Sequence, residues 1–354
     1  MGTAPFAEAI AAAARASPMA SGSVPILPSR ILLVDADGLA YYCAGNDDTT
    51  PGEARADLLN KVAAAQRITG AGEVRLLTTA SGSHKGHRYA IARVKPYQGQ
   101  RANNRRPANW RYLRDLLESN TIGPPVELTT TAEADDLFAW YAYNYPDDCV
   151  IYTQDKDMRM LPGLHLDWVS HRTHRVEYSL NWCRQETRAH NVIPYSSTFN
   201  DKQYGPAWFW HQMLHGDAAD YIPGLPKYVI DGNAKLVGEV TAGKLLAGVP
   251  SYEAAAAALY ESYYGERWLV EMLEQACLLW LRRVPDKWDD CLDPGGPLAL
   301  WNDGGEEFSK AYQEIERRVR DADNINAAAQ AQAVGGNPDA GSSGQESEPT
   351  VCIV

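Results

Sequence analysis

Twice in this chain a short apolar run stops on a pair of aspartates: RILLVDADG over residues 30 to 38, and DCVIYTQDKDM over residues 148 to 158. Apolar runs of this length, bounded by acids and glycine, read as buried strands that end in loops. A helical pattern from about Glu53 to Ile68 and the run EVRLLTTA follow the first. PPVELT predicts a short strand, TAEADDLFAWY opens a helix reaching about Tyr145, and LHLDWVS reads as another strand. Strands alternating with helices predict an α/β fold with a mostly parallel sheet. In open sheets of that kind ligands bind beyond the carboxyl ends of the strands, which here carry aspartates.

From about Leu180 onward the pattern turns helical, in PAWFWHQMLHG, TAGKLLAG, SYEAAAAALYESYY and RWLVEMLEQACLLWLRR, with a last amphipathic helix expected over Glu306 to Arg320. Residues 1–29 and 324–354, poor in bulky apolar side chains, are expected to be flexible tails. The six cysteines form no Cys-x-x-Cys pair, which argues against a zinc ribbon or disulfide framework and for a reducing, cytoplasmic compartment. No apolar stretch approaches the roughly 18 residues of a membrane span, and the amino-terminal segment is a poor match to a secretory signal.

The formal charge of −12 conceals a strong segregation. Between His84 and Arg114 lie Lys85, Arg88, Arg93, Lys95, Arg101, Arg105, Arg106, Arg111 and Arg114, with no Asp or Glu among them. A basic island in an acidic chain suits a protein that holds a polyanion with one element and metal cations with another; the alternative is a solvated basic loop. The acids themselves fall in clusters: Asp35 with Asp37, Glu133 with Asp135 and Asp136, Asp155 with Asp157, and Asp217 with Asp220.

Thr131 is an N-cap candidate for the helix after TAE, and acids in a first turn suit the positive end of the helix dipole. At 100° per residue Glu133, Asp135 and Asp136 fan over about 160° of that helix. Asp155 and Asp157 share a face if extended, and Asp217 and Asp220 share one if helical. Should the clusters converge, like charges so close would force protonation unless cations intervened. An all-carboxylate donor set favours Mg²⁺ or Mn²⁺ over zinc, and two such ions about 4 Å apart can hydrolyse a phosphodiester. The Asp-x-Asp pairs lack the loop of an EF-hand. His211 and His215 stand at i and i+4, but Gln212 occupies the place of a zinc-protease glutamate, so they read as packing or surface residues, and HRTH at 171–174 reads as a strand-turn segment.

In their order, LLVDADGLAYY, HRYAIARVKPYQGQR, AEADDLFAW, IYTQDKDMRML and GDAADYIPGL followed by GEVTAGKLL resemble the 5′ nucleases of the flap-endonuclease type, above all the 5′-to-3′ exonucleases of tailed phages. The resemblance covers roughly residues 30 to 250. It implies a PIN-like core over 30–180 with a helical arch from the basic island, about 84–118. It also implies a helical DNA-binding region over 181–323 with a helix-three-turn-helix at about 217–248. As metal-site residues it implies Asp35, Glu133, Asp135, Asp136, Asp155, Asp157, Asp217 and Asp220, holding two Mg²⁺ or Mn²⁺, with K⁺ at the helix-three-turn-helix. The implied DNA contacts are Lys85, Arg88, Arg93, Lys95, Tyr97, Arg101, Arg105 and Arg106 on the arch, and Gly224, Lys227, Gly238, Thr241 and Lys244 on the helical module.

The chain also departs from the family. YQGQR puts Gln98 where the arch has its active-site lysine, leaving Lys85 or Lys95 to supply that charge. No acid follows the second strand in LTTASGSHKGHR, and PKYVIDGNAKLV lengthens the DNA-binding turn. The expectation is a monomeric, metal-dependent exonuclease or flap endonuclease acting near DNA 5′ ends, with a part in phage replication or primer removal. The alternatives are a PIN-type ribonuclease acting on RNA or RNA–DNA hybrid, and a non-catalytic relative that binds branched DNA.

Overall fold

The two apolar runs become neighbouring strands at the centre of one sheet. In the computed structural model, which describes residues 25–335 except 104, 169–172, 178–190, 195–196, 200–201, 226–227, 231–232 and 236, strand β1 (Leu27–Asp35) pairs in parallel with β2 (Ala71–Thr79) on one side and β4 (Cys149–Thr153) on the other. With β3 (Val126–Thr129), β5 (Gly163–Asp167), β6 (Thr173–Glu177) and β7 (Asn191–Pro194) the order is β3-β2-β1-β4-β5-β6-β7. All neighbours are parallel except β5 and β6. The chain builds outward from β1 to β3, then returns to the other side of β1 with β4. That reversal leaves a crevice between the carboxyl ends of β1 and β4, where ligands sit in open α/β sheets.

The absence of alternation in the strands has a direct cause, because both faces of the sheet are covered. Leu32, Val34, Leu76, Val150 and Tyr152 pack on one face with Leu39, Leu58, Leu113 and Leu117, from helices α1 (Ala36–Cys43), α2 (Pro51–Thr69) and α4 (Trp110–Glu118). The interleaved Leu33, Leu77 and Ile151 pack on the other with Phe138 and Ala142 of α5 (Ala134–Asn144). The expected start of α2 is sharpened by a reciprocal cap. The Glu53 N–H donates to Thr50 Oγ1 at 3.3 Å, and the Thr50 N–H to Glu53 Oε2 at 2.8 Å. At the other end Gly70 takes the left-handed conformation, φ 65°.

The basic island does not form one long helix. It comprises the single turn α3 (Arg88–Ile91), a 3₁₀ turn over Gly99–Asn103 and the start of α4. Beyond the sheet come α6 (Pro206–His215), α7 (Glu239–Leu246), α8 (Tyr252–Tyr264), α9 (Trp268–Leu279) and α10 (Gly305–Gly335). Every residue of α9 from Val270 to Leu279 is buried, which explains a helix apolar nearly all round. Its two glutamates need partners there. Glu274 receives the N–H groups of Arg93 at 2.8 Å and Val94 at 3.0 Å, and pairs with Arg318 of α10 at 2.6 Å. The carboxyl-terminal helix thus fixes the root of the basic segment.

Two expectations change, and the long turn expected in PKYVIDGNAKLV gains a defined structure. The chain after residue 180 is not purely helical, because β7, the hairpin β8 (Ser197–Phe199) with β9 (Lys202–Tyr204), and the ribbon β10 (Tyr228–Ile230) with β11 (Asn233–Lys235) are strands. The inserted ribbon also lengthens the connection between α6 and α7 expected to be a helix-three-turn-helix. And the segments expected as tails are shorter than drawn: β1 begins at Leu27, and α10 continues to Gly335, past Arg320. Residues 1–24 and 336–354 of those tails lie outside the described residues. Among the described residues no helix is long and apolar enough to cross a membrane, and Cys43, Cys149, Cys277 and Cys291 are buried.

Candidate active site

Asp35 ends β1 and caps α1, its Oδ1 accepting the Gly38 N–H at 2.7 Å while Oδ2 accepts Thr153 Oγ1 at 2.7 Å from the end of β4. The crevice is therefore bridged by the β1 carboxylate and a hydroxyl from the end of β4. Burial raises the Asp35 carboxyl to about 6, against the Gly38 hydrogen bond and with help from the Asp37 charge. Gly38 is needed for this approach, since a Cβ there would lie 2.5 Å from Asp35 Oδ2.

Asp155 and Asp157 are not extended as expected. Asp155 caps the 3₁₀ turn Lys156–Met160, with its Oδ1 accepting the Asp157 N–H at 2.8 Å. Asp157 is oriented by Gln212 of α6, which donates to Oδ1 at 2.6 Å. Gln212 is a site residue that sequence reasoning missed, having noted it only as a missing glutamate. The nearest available signal was its helix, which leads straight into Asp217.

Asp217 and Asp220 are not helical either. They sit on a tight loop closed by the Asp217 and Ile222 backbones, with bonds of 2.9 and 2.7 Å. One carboxylate oxygen from each of Asp157, Asp217 and Asp220 lies within 4.8 Å of the others. Lys156 spans two of them, 3.2 Å from Asp157 and 2.9 Å from Asp217. Burial works to raise Asp217, but Lys156, the Ala219 N–H and a hydrogen bond with Asp157 together hold the carboxyl below its usual range. Asp157, with burial and the charges of Asp155 and Asp217 all acting upward, is raised well above it.

The basic segment closes the other side. Tyr97, 4% exposed, aims its hydroxyl at Glu133 Oε2 (2.8 Å) and Asp220 Oδ2 (3.0 Å), and its single proton serves one at a time. Gln98 donates to Asp220 at 2.8 Å, and Arg101 pairs with the same oxygen. Lys85 Nζ lies 3.0 Å from Glu133 and 2.6 Å from Gln98 Oε1. Burial would raise Glu133, yet Lys85 and Arg88 together hold it at about 2. Asp220 moves the opposite way, to about 6, because burial and Glu133 outweigh Arg101. Asp135 stands half-buried on the same side of α5, raised well above its usual value by burial and then by Asp155, Glu133, Asp35 and Asp220. Seven of the eight expected carboxylates thus share one crevice.

The eighth is placed differently. Asp136 is wholly buried and accepts four donors: Arg88 Nη1 at 2.7 Å, Arg88 Nη2 at 2.8 Å, and the N–H groups of Arg282 at 3.0 Å and Glu133 at 3.2 Å. All its acceptor positions are engaged in anchoring α5, so it is not a candidate ligand. Glu133, rather than Thr131, caps that helix. Asp37 is likewise committed inward, to Thr78, the Thr79 N–H and buried Arg114.

The expected DNA contacts divide in the same way. Arg88, 1% exposed, cannot reach a phosphate, and Tyr97 is engaged by carboxylates instead of lying open to a base. Arg93, Lys95, Arg101, Arg105 and Arg106 are exposed, although Arg105 pairs with Asp47 and Arg106 stacks on Trp110. On the helical module Gly238 and Lys244 are exposed and Thr241 is half-buried. Gly224 is buried, its carbonyl accepting from Tyr264 and Gln275; Lys227 lies outside the described residues. His211 and His215 are packing residues beside Trp208, kept neutral by burial and by each other or Lys156 at about 4.

No protein-family model matches the chain, and no curated protein does. Among solved structures, the bacteriophage T5 flap endonuclease in a pseudo-enzyme–product complex with DNA and metal ions aligns at 16% identity and TM-score 0.46, covering 82% of this chain and 99% of that one. The T5 5′-exonuclease with bound zinc aligns over the same shares at 16% identity and TM-score 0.47.

Proposed function

We propose that this chain is a metal-dependent 5′ nuclease that hydrolyses phosphodiester bonds near DNA 5′ ends. The observation that carries the reading is the convergence of acids from four separate segments beyond the carboxyl ends of β1 and β4, facing a basic segment that reaches into the same crevice. The donor set fits a hard divalent cation. It is all carboxylate, three of its oxygens already lie within 4.8 Å of one another, and Asp35 and Asp220 are pushed to about 6 by burial and crowding that a cation would relieve.

Asp157, Asp217 and Asp220 would hold one ion, and a second would draw on Asp35, Asp135 and Asp155. Bound Mg²⁺ or Mn²⁺ would supply an activated water and stabilise charge on the phosphodiester oxygens. Gln212 keeps Asp157 oriented, and Tyr97 and Gln98 keep Glu133 and Asp220 in register. Lys85, rather than exposed Lys95, supplies the fixed positive charge that Gln98 cannot, and Arg101 meets backbone phosphate. Water adds to phosphorus and the P–O3′ bond breaks. The leaving 3′ oxygen takes a proton, which gives a 5′ phosphate and a 3′ hydroxyl.

The motif resemblance carries the further reading of a monomeric enzyme of phage DNA replication or primer removal in the host cytoplasm. The test is incubation of 5′-labelled duplex, flap and RNA–DNA hybrid substrates with and without Mg²⁺. Metal-dependent release of label from DNA is expected. No release at high enzyme concentration overturns the reading, and release from RNA strands alone would make the chain a ribonuclease.

A further inference from the structure

Tyr221 follows directly after Asp220 and is the one described residue in the loop from Asp217 to Ile222 whose conformation its own chemistry disfavours. Its φ is 63°, a left-handed value that glycine or asparagine adopts readily and a bulky side chain rarely does. The residue is nevertheless 37% exposed, so burial does not explain its presence. The loop that holds it is fixed from both sides. The Asp217 and Ile222 backbones close it, Gln98 donates its N–H to the Asp220 carbonyl at 2.9 Å, and Arg101 Nε and Gln100 Nε2 donate to the Ala219 carbonyl. Lys95 Nζ stands 4.8 Å from the ring centroid. An aromatic face, a lysine against it and a rigid mount therefore lie at the rim of the carboxylate crevice.

We propose that Tyr221 is a stacking platform for a nucleobase of the DNA strand entering the site, with Lys95 meeting the phosphate of the same nucleotide. Resting on the nuclease reading, this assigns the substrate's first base contact to a residue with no part in the metal chemistry. Stacking on an aromatic ring tolerates any base, which suits a nuclease that reads ends instead of sequence. The lysine, held over the ring by the π face, turns to the phosphate when a base takes its place.

The experiment uses the full chain in EDTA at low salt and a single-stranded oligonucleotide carrying 2-aminopurine at its 5′ end. Wild-type protein is expected to quench the probe on binding. Tyr221→Leu, which keeps bulk but loses the π face, should abolish the quench and weaken binding about 5- to 100-fold, and Tyr221→Trp should retain both. Tyr221→Asn should weaken binding equally while holding or raising Tm, because asparagine suits the left-handed turn. Unchanged quenching and affinity in Tyr221→Leu would overturn the platform while leaving the nuclease reading intact. Wild-type protein that neither binds nor, with Mg²⁺, cleaves would overturn both.

Discussion

Lys85 holds its ammonium 3.0 Å from Glu133 and 2.6 Å from the Gln98 carbonyl oxygen, so the lysine next to Glu133 comes from the turn before α3 and not from YQGQR. Lys85→Met should lower turnover by roughly 100-fold, the scale of losing one preorganised electrostatic group, with a smaller change in KM; steady-state kinetics on flap DNA would check this. Arg88 has a different part. Its guanidinium is buried against Asp136, and Arg88→Met leaves that carboxylate uncompensated at a cost of about 3–5 kcal/mol, read as a fall in denaturation midpoint. Arg88→Met combined with Asp136→Leu should recover much of the loss. Sequence could single out these residues as charged. It could not tell a charge facing the crevice from one locked in the core, because both read as basic or acidic letters in the same motif.

At the scale of elements, the loop between α6 and α7 depends on two glycines packed against each other. A Cβ on Gly224 would lie 2.3 Å from the Gly216 nitrogen, and one on Gly216 would lie 2.2 Å from the Ile222 carbonyl oxygen. Both glycines have positive φ, 61° and 74°. Gly224→Ala should cost more than about 1 kcal/mol and displace Asp217 and Asp220 together, lowering Tm and metal affinity in the same variant. Thermal melts and calorimetric titration with Mn²⁺ would show whether the two losses travel together. The strands and helices that deliver the acids were legible, because apolar runs and helical periodicity survive in one dimension. Their ends were less so. Asp155 caps a 3₁₀ turn and Asp217 opens a bridged loop, conformations set by side-chain-to-backbone hydrogen bonds that periodicity does not encode.

For the molecule as a whole, the crowded acids link metal binding to pH. Asp35 and Asp220, near 6 when folded against an ordinary 3.8, hold protons that the unfolded chain has shed between those values. They therefore subtract stability as pH rises through that window, and a bound cation restores it. The gain in Tm from saturating Mn²⁺ should be large at pH 7 and shrink toward pH 5 as protons compete for the same oxygens. A gain independent of pH between 5 and 7 would contradict this arrangement of charges. The sequence by itself determined the parallel α/β sheet, the strand ends that carry acids and the segregation of basic from acidic residues, since each follows from local pattern. The tertiary structure decided which acids converge and which are neutralised in the core, that Lys85 lies between Glu133 and Gln98, and that Tyr221 lies open beside the crevice. Those outcomes depend on which segments the strand order brings within a few ångströms, a relation between residues as far apart as 85, 133 and 220 that no local pattern contains.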